Sequence, residues 1–424
     1  MSLLLLAVSA AGLLAAVNAT RSGGGRLGPL WFPALFTGEL ALFQAVGHGG
    51  LAAGFWWAGW AGGWAGGAGL TAAGLAIALL IGIQVRALRA KQVVGEAAST
   101  VIGSPVTMPP VRVGRLLRPY PSLPRSVRVE RDLAYGPDRA HRLDRFQSRH
   151  PDGPGPVLLQ VHGGGWTGGR RDQQARPLLH RMAAAGWVVY SISYRLSPGA
   201  TFPDHLVDVK RAIAWIRENG AGHGADPSFV AITGGSAGGQ LAALAALTAG
   251  DPAHQPGFEG ADTSVQACVP FYGVHDLLDG NGTAPRWPYL ARYVLKADPE
   301  GAPGLWRAAS PTRSVRPDRP PFLLLHGTHD SLVGPGESRR LAEALTASGP
   351  APVGLAEIPG ATHGFDAMHS LRAERAVDGV QVVLEWLWER QRPEAGSPQD
   401  PSEPSRTRMA WRRPSSSRVS KTTL

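Results

Sequence analysis

A serine inside a glycine-rich pentapeptide is the residue of this chain that points most directly to chemistry. Residues Gly234-Gly-Ser236-Ala-Gly238 match the G-x-S-x-G pattern. By itself the pentapeptide also fits a structural turn. The apolar run 229–233 before it predicts a strand, however, and the Ala/Leu-rich run 241–247 after it predicts a helix. This context predicts Ser236 as a nucleophile, with the Ala237 amide pointing at the developing oxyanion from the helix N-terminus.

Serine is a poor nucleophile until a base takes its proton, and that base needs a carboxylate that fixes its tautomer. Two residues that follow later predicted strands suit these roles: Asp330, in His326-Gly-Thr-His-Asp330, and His363, in Ala361-Thr-His363-Gly-Phe365. The order Ser, Asp, His is the order that α/β-hydrolases use. The other candidate bases fit less well, because His162 belongs to a glycine loop and His326 and His329 lie too close to Asp330 along the chain.

A run of glycines predicts the second part of the oxyanion site. Residues 157–161 read as a strand that leads directly into His162-Gly-Gly-Gly165. Consecutive glycines let backbone amides approach a substrate oxygen closely, which a second oxyanion donor requires.

Alternating strand and helix patterns position these residues. From residue 126 to 391 the alternation predicts a catalytic domain built on a mostly parallel eight-stranded sheet with helices on both faces, and the site residues follow strand ends. The Pro/Gly-rich stretch 273–320 is expected to form an irregular wall over the site. The single cysteine, Cys268, excludes an intramolecular disulfide and reads as a core residue. No Cys/His cluster has metal-ligand spacing, so we expect neither metal nor cofactor.

Residues 1–90 differ from the rest of the chain. Apolar runs at about 2–19, 30–51 and 64–85 predict about three transmembrane helices, with Trp56, Trp57, Trp60 and Trp64 at a membrane–water interface. Residues 91–125 read as a Pro-rich linker, partly helical and near the membrane surface, and residues 392–424 read as a disordered basic tail. Glu39 and His48, in the second run, are either functional intramembrane groups or face neighbouring helices or the interface.

The net charge of +10 flanks the predicted catalytic domain. No nucleic-acid motif accompanies it, so we expect no nucleic-acid partner. Basic residues near membrane segments explain it more simply: Arg21 and Arg26 follow the first run, and Arg86, Arg89 and Lys91 follow the third. With three spans, the positive-inside rule predicts a multi-pass protein of the cell membrane with its N-terminus outside and its catalytic domain in the cytoplasm.

The catalytic part resembles the hormone-sensitive-lipase-like branch of the α/β-hydrolases, including bacterial carboxylesterases. The resemblance covers about residues 127–388 and rests on the motifs above together with Ser193-Tyr-Arg-Leu-Ser-Pro198, Phe202-Pro203 and Asp226-Pro227. It implies an α/β-hydrolase fold, a triad of Ser236, Asp330 and His363, and an oxyanion hole formed by the amides of Gly164, Gly165 and Ala237. The N-terminal part is similar to that of actinobacterial membrane-anchored esterases.

The chain departs from the family pattern at two places. Gly235 stands where the family usually has an aspartate before the nucleophile, and the segment before Val127 is too short and Pro-rich to suggest the family's N-terminal cap. A hydrogen bond that this aspartate would make behind the nucleophile is therefore expected to be missing.

These features predict a membrane-anchored serine carboxylic ester hydrolase that forms an acyl-enzyme on a small-molecule or lipid ester. Amide or formamide hydrolysis on the same triad is the alternative chemistry. A non-catalytic membrane scaffold or binding protein on a hydrolase fold is the alternative of another class. The oligomeric state is left open.

Overall fold

Eight strands form a single sheet in the computed structural model, which describes residues 1–21, 30–278 and 287–391. The strands lie in the order β1-β2-β4-β3-β5-β6-β7-β8. β2 is antiparallel to both of its neighbours, and the other neighbouring pairs are parallel. The strands are β1 (Val127–Ala134), β2 (Arg142–Ser148), β3 (Gly155–Val161), β4 (Val188–Ile192), β5 (Ala225–Gly235), β6 (Ala267–Phe271), β7 (Phe322–Gly327) and β8 (Val353–Ile358). The predicted mostly parallel eight-stranded sheet is confirmed.

Helices cover both faces of the sheet and also form the N-terminal part of the chain. They are α1 (Ser2–Thr20), α2 (Trp31–Glu39), α3 (Ala41–Trp57), α4 (Gly63–Leu88), α5 (Ala90–Ile102), α6 (Val113–Leu116), α7 (Arg176–Ala184), α8 (Asp204–Asn219), α9 (Ala237–Leu247), α10 (Trp287–Tyr289), α11 (Pro303–Ala308), α12 (Gly336–Ser348) and α13 (Leu371–Gln391).

The central parallel strands are buried on both faces, which is why they read as continuous apolar runs in the sequence. Every residue of β3, β4, β6 and β7 is buried. Cys268 lies in β6 and is fully buried, as expected for a core residue. Two large apolar clusters, one on each face, hold the sheet between its helices. Because β3, β5, β6, β7 and β8 are parallel, the carboxyl ends of β3, β5, β7 and β8 lie at one edge of the sheet, and the predicted site residues follow them there.

The N-terminal helices differ from the three predicted spans. Within the described residues, two stretches are long and apolar enough to cross a membrane: α1, and α4 together with α5. The second predicted run breaks at Leu40, whose φ of −104° and ψ of 22° interrupt the helix. The resulting α2 and α3 have 9 and 17 residues, both short of the roughly 20 that a span needs. The prediction of about three transmembrane helices is therefore wrong in its count.

The predicted linker 91–125 differs from the structure in its first third. Residues 90–102 form α5, whose side chains Val94, Ala97 and Val101 are buried in the same apolar cluster as β8 and α13. The period of these small apolar residues is helical, and α5 follows α4 with only Arg89 between them. Residues 103–125 carry only the short α6, and the predicted tail 392–424 lies outside the described residues.

Glu39 and His48 both face other parts of the chain. Glu39 is buried against Ser370 and Arg372 of the catalytic domain. His48 of α3 lies over Gly12 of α1, where any Cβ on the glycine would overlap the imidazole. Contact with neighbouring elements, the second of the two interpretations, therefore accounts for both.

The packing of α5 on the sheet generates a stability prediction at Gly354 of β8. A Cβ there would lie 2.9 Å from Val101 Cγ2 and closer still to the Ala97 carbonyl oxygen. We expect Gly354→Ala to destabilise the fold by about 1–3 kcal/mol, because backbone cannot yield as a flexible side chain can. The melting temperature of the purified full chain should fall by several degrees.

The matched control is Gly222→Ala, because Gly222 is exposed and a Cβ there meets no atom within 4 Å. Its melting temperature should stay at the wild-type value. Equal melting temperatures for the two variants would show that α5 does not pack on β8 as described.

Candidate active site

Ser236 lies on the tight turn between β5 and α9, with φ 59° and ψ −122°. A non-glycine residue with this positive φ is strained, and the neighbouring backbone holds it there. The Ser236 amide donates to the Phe271 carbonyl of β6 at 3.0 Å. A Cβ on Gly238 would overlap the Val161 carbonyl oxygen, and one on Gly234 would overlap the Gly238 carbonyl oxygen. Close approach of three backbone segments therefore requires both glycines, and Ser236 is left half-exposed.

The loop after β3 lies directly against Ser236. A Cβ on Gly163 would be 3.1 Å from the Ser236 Cβ, and the Gly163 amide is held by the Gln174 Oε1 at 2.7 Å. Gly164 and Gly165 have φ of 123° and 61°, values that favour glycine. Within the described part of the chain, their amides and that of Ala237 donate to no protein acceptor. Unpaired amides beside a serine are what an oxyanion site requires.

Asp330 and His363 are brought together by the loops after β7 and β8. His363 Nδ1 donates to Asp330 Oδ2 at 2.7 Å. Asp330 Oδ1 accepts the amides of Leu332 and Val333 at 2.9 and 2.8 Å. Burial favours the neutral acid, but the charge of His363 and the hydrogen bonds from His326 and His363 outweigh it and hold the Asp330 pKa well below its usual range. A carboxylate that stays ionised can orient the imidazole and stabilise its protonated form.

Tyr272 connects the serine turn with the histidine. Its ring lies 4.6 Å from the His363 ring, centroid to centroid. A Cβ on Gly235 would come within 2.9 Å of the Tyr272 Oη, and that hydroxyl donates to the buried Asp366. An aspartate at position 235 would collide with Tyr272. The departure from the family pattern at Gly235 thus coincides with a Tyr272–Asp366 hydrogen bond behind the site.

The other candidate bases are engaged elsewhere. The His162 ring stacks on Tyr194 at 4.5 Å, and burial lowers its pKa to about 4. His326 is buried and bonded through Nδ1 to Ser338; its Nε2 lies 2.8 Å from the Val333 carbonyl oxygen and 3.5 Å from Asp330 Oδ2, so it supports the carboxylate from another side than His363. His329 contacts Arg86 and the Ala19 carbonyl of the N-terminal helices. Among these histidines, His363 is the one whose Nδ1 bonds to Asp330.

Two residues beside the site, Tyr272 and Trp31, were not predicted, and a third, Tyr289, lies in the stretch predicted to form a wall over it. Tyr272 directly follows β6 at the carboxyl edge of the sheet, a position that could have signalled it. Tyr289, from the predicted irregular wall, donates its hydroxyl to the Gly165 carbonyl at 2.7 Å. Trp31 of α2 lies edge-on to the His363 ring at 5.7 Å, and no motif or spacing points to it. No group of three or more His, Cys, Asp or Glu side chains within residues 1–21, 30–278 and 287–391 could hold a metal ion.

Comparison with known proteins agrees with this geometry. A family model described as BD-FAE matches residues 143–345. Esterase LipQ of Mycobacterium tuberculosis is 49% identical over 259 residues, which are 60% of this chain and 61% of LipQ. The probable carboxylic ester hydrolase LipM of the same organism is 42% identical over 307 residues, 71% of this chain and 69% of LipM. The solved structure of a truncated carbohydrate esterase from gut microbiota is 26% identical with a TM-score of 0.53, covering 60% of this chain and 96% of that one.

The similarity to LipQ spans about three fifths of that protein, whereas the similarity to LipM spans more than two thirds of it. The sheet order and the motif positions agree with the same assignment. The chain therefore belongs to the α/β-hydrolase family of carboxylic ester hydrolases that includes LipM.

Proposed function

We propose that this protein is a serine carboxylic ester hydrolase that works through an acyl-enzyme, with Ser236 as nucleophile, His363 as base and Asp330 as its orienting carboxylate. The observation that carries the proposal is the short His363–Asp330 bond at the sheet edge where the strained, half-exposed Ser236 also lies. The resemblance of its motifs supports the further proposal that the enzyme belongs to the hormone-sensitive-lipase-like branch of the family.

In the first half-reaction the Ser236 Oγ attacks the ester carbonyl carbon while His363 takes the hydroxyl proton. The amides of Gly164, Gly165 and Ala237 stabilise the negative charge that develops on the carbonyl oxygen. The bond from carbon to the alcohol oxygen then breaks, and His363 gives its proton to that oxygen. The products are an acyl-Ser236 and a free alcohol.

In the second half-reaction water attacks the acyl-Ser236 carbonyl, and His363 takes a proton from the water. The bond to the Ser236 oxygen breaks, the proton returns to that oxygen, and the carboxylic acid leaves. Asp330 stays ionised throughout and stabilises the protonated imidazole. Amide hydrolysis would use the same steps with an amine as leaving group, so a panel of esters and matched anilides separates the two chemistries.

We also propose that the N-terminal helices are embedded in a membrane. Most residues of the two candidate spans are not covered by the rest of the chain; Leu14 of α1 is 70% exposed and Val85 of α4 is 57% exposed. A soluble protein seldom exposes an apolar surface of this extent. The exposed Trp56, Trp57, Trp60 and Trp64 cluster where α3 meets α4, as interfacial tryptophans do.

The two candidate spans run in the same direction. Leu5 of α1 packs on Gly69 of α4, and both helices end at His329, through the Ala19 carbonyl and Arg86. α2 and α3, each too short to span by itself, therefore form the broken segment that returns the chain between the two spans. The N-terminus and the catalytic domain then lie on opposite sides, and the arginines beside the domain favour the cytoplasm for it.

Ser236→Ala should abolish ester hydrolysis while leaving the melting temperature of the full chain near that of the wild type. Wild-type protein should react with a fluorophosphonate probe and Ser236→Ala should not, because the probe needs an activated serine. Turnover that survives in the purified variant would mean that another residue is the nucleophile. A wild type that neither reacts nor hydrolyses would favour the non-catalytic alternative.

Asp330→Asn should lower kcat by two orders of magnitude or more while KM changes little, because the amide favours the wrong tautomer of His363. Asp276→Asn is the matched control, since Asp276 is also a buried carboxylate after a strand but contacts Arg313 rather than the triad. A loss below about tenfold, roughly 1.4 kcal/mol of barrier, would show that another carboxylate orients His363.

The membrane arrangement can be tested with thiol labelling, because the single native cysteine is fully buried. In intact bacterial spheroplasts, a membrane-impermeant maleimide should label Ala58→Cys, in the exposed turn after α3, but not Ser228→Cys on the catalytic domain. Both should label after permeabilisation, and the wild type should not label. Labelling of Ser228→Cys before permeabilisation would place the catalytic domain outside.

A further inference from the structure

The N-terminal helices lie against the loop that carries the proposed base. The ring of Trp31, at the start of α2, meets the His363 imidazole edge-on, with centroids 5.7 Å apart and planes at 86°. A Cβ on Gly364, the next residue, would lie 3.7 Å from Leu35 and 3.9 Å from Trp31. One side of the site is therefore built by a helix that precedes the catalytic domain by about 100 residues.

A buried polar cluster fixes α2 in this place. Ser370 Oγ donates to Glu39 Oε2 at 2.5 Å, and Arg372 Nη1 lies 3.4 Å from Glu39 Oε1 and 3.1 Å from the Gly38 carbonyl oxygen. Arg372 Nη2 donates to the Ile83 carbonyl of α4 at 3.1 Å. All three side chains are buried. The end of α2 is thus bonded to the segment that follows the His363 loop, so Trp31 keeps its place beside His363.

The surface that continues outward from Trp31 is aromatic. Phe32 packs edge-on against Trp31 at 5.5 Å and Phe36 against Phe32 at 5.0 Å. Phe32 is 54% exposed, and Trp31 itself is partly exposed. A continuous row of aromatic rings therefore leads from the His363 ring toward the exposed apolar face of the N-terminal helices.

The chemistry decides which part of an ester lies beside His363. Because the imidazole gives its proton to the departing alcohol oxygen, the alcohol portion must lie next to it when the bond breaks. Building on the proposed ester hydrolysis, we propose that Trp31, with Phe32 beyond it, is the wall that contacts the alcohol portion of the substrate. The preferred substrates are esters of apolar, chain-like alcohols.

Two isomeric esters test this assignment in the full chain. Hexyl acetate carries its chain on the alcohol side and ethyl hexanoate carries it on the acyl side, whereas their size and overall composition are the same. Wild-type kcat/KM should be higher for hexyl acetate than for ethyl acetate. Trp31→Ala should lower kcat/KM about tenfold for hexyl acetate, with ethyl acetate and ethyl hexanoate changing less than about twofold. Trp31→Phe should retain most of the hexyl acetate activity.

Deacylation supplies an internal control. Hexyl acetate and ethyl acetate give the same acetyl-Ser236, so a selective loss on hexyl acetate arises before the alcohol leaves. Trp57→Ala, at the far end of α3 with a side chain 87% exposed, is the matched control and should leave all three kcat/KM values unchanged. Phe32→Ala, at an exposed position, should lower the hexyl acetate value by about threefold.

The outcomes separate the alternatives. An equal loss of kcat/KM on all three esters in Trp31→Ala would show that Trp31 only positions His363. Unchanged kcat/KM values on all three would show that Trp31 contacts no substrate. Either result overturns the proposal. Where Trp31→Ala fails to fold, as judged by the loss of a cooperative thermal unfolding transition, the ratio of the hexyl acetate and ethyl acetate kcat/KM values of Phe32→Ala decides instead. A wild type that labels but hydrolyses none of the three esters overturns this substrate class alone, whereas a wild type that does not label overturns the proposed function itself.

Discussion

The close contact of three backbone segments around Ser236 is the constraint on which the site depends. β5 lies between β3 and β6, and α9 begins so close to β3 that the Gly238 position admits no Cβ. This packing holds Ser236 at a positive φ that it would not adopt alone. The parallel register of the central strands, buried on both faces, therefore both stabilises the fold and determines where the Ser236 hydroxyl lies.

Asp330 and His363 lie at the same sheet edge, but different contacts hold their side chains in place. Asp330 accepts hydrogen bonds from two backbone amides of its own loop, so its orientation is fixed locally. The position of His363 depends on more distant parts of the chain, because its ring contacts the rings of Tyr272 and Trp31. Through the contacts of Glu39 with Ser370 and Arg372, the N-terminal helices take part in the architecture of the catalytic domain.

Local patterns were sufficient to predict the fold and the candidate triad. The loops that carry Ser236, Asp330 and His363 each follow a predicted strand, which is a short-range signal, and the alternation of strands and helices indicates a mostly parallel sheet. The features that the sequence did not predict depend on tertiary contacts. The helical pattern of α5 gives no sign that it packs against Gly354, and the break at Leu40 comes without a Pro or Gly at that position. Trp31 contacts a residue more than 300 positions later, which no local pattern could indicate.

The junction between α4 and α5 has a mechanical consequence. Arg89 keeps a helical conformation, with φ −67° and ψ −16°, and the chain passes from the apolar helices into the core of the catalytic domain without a loop. An enzyme on a flexible tether samples a range of heights and tilts above a surface. In the proposed membrane arrangement, a nearly continuous helix of 40 residues joins the embedded helices to the catalytic domain, so the candidate site would lie at a nearly fixed height above the membrane.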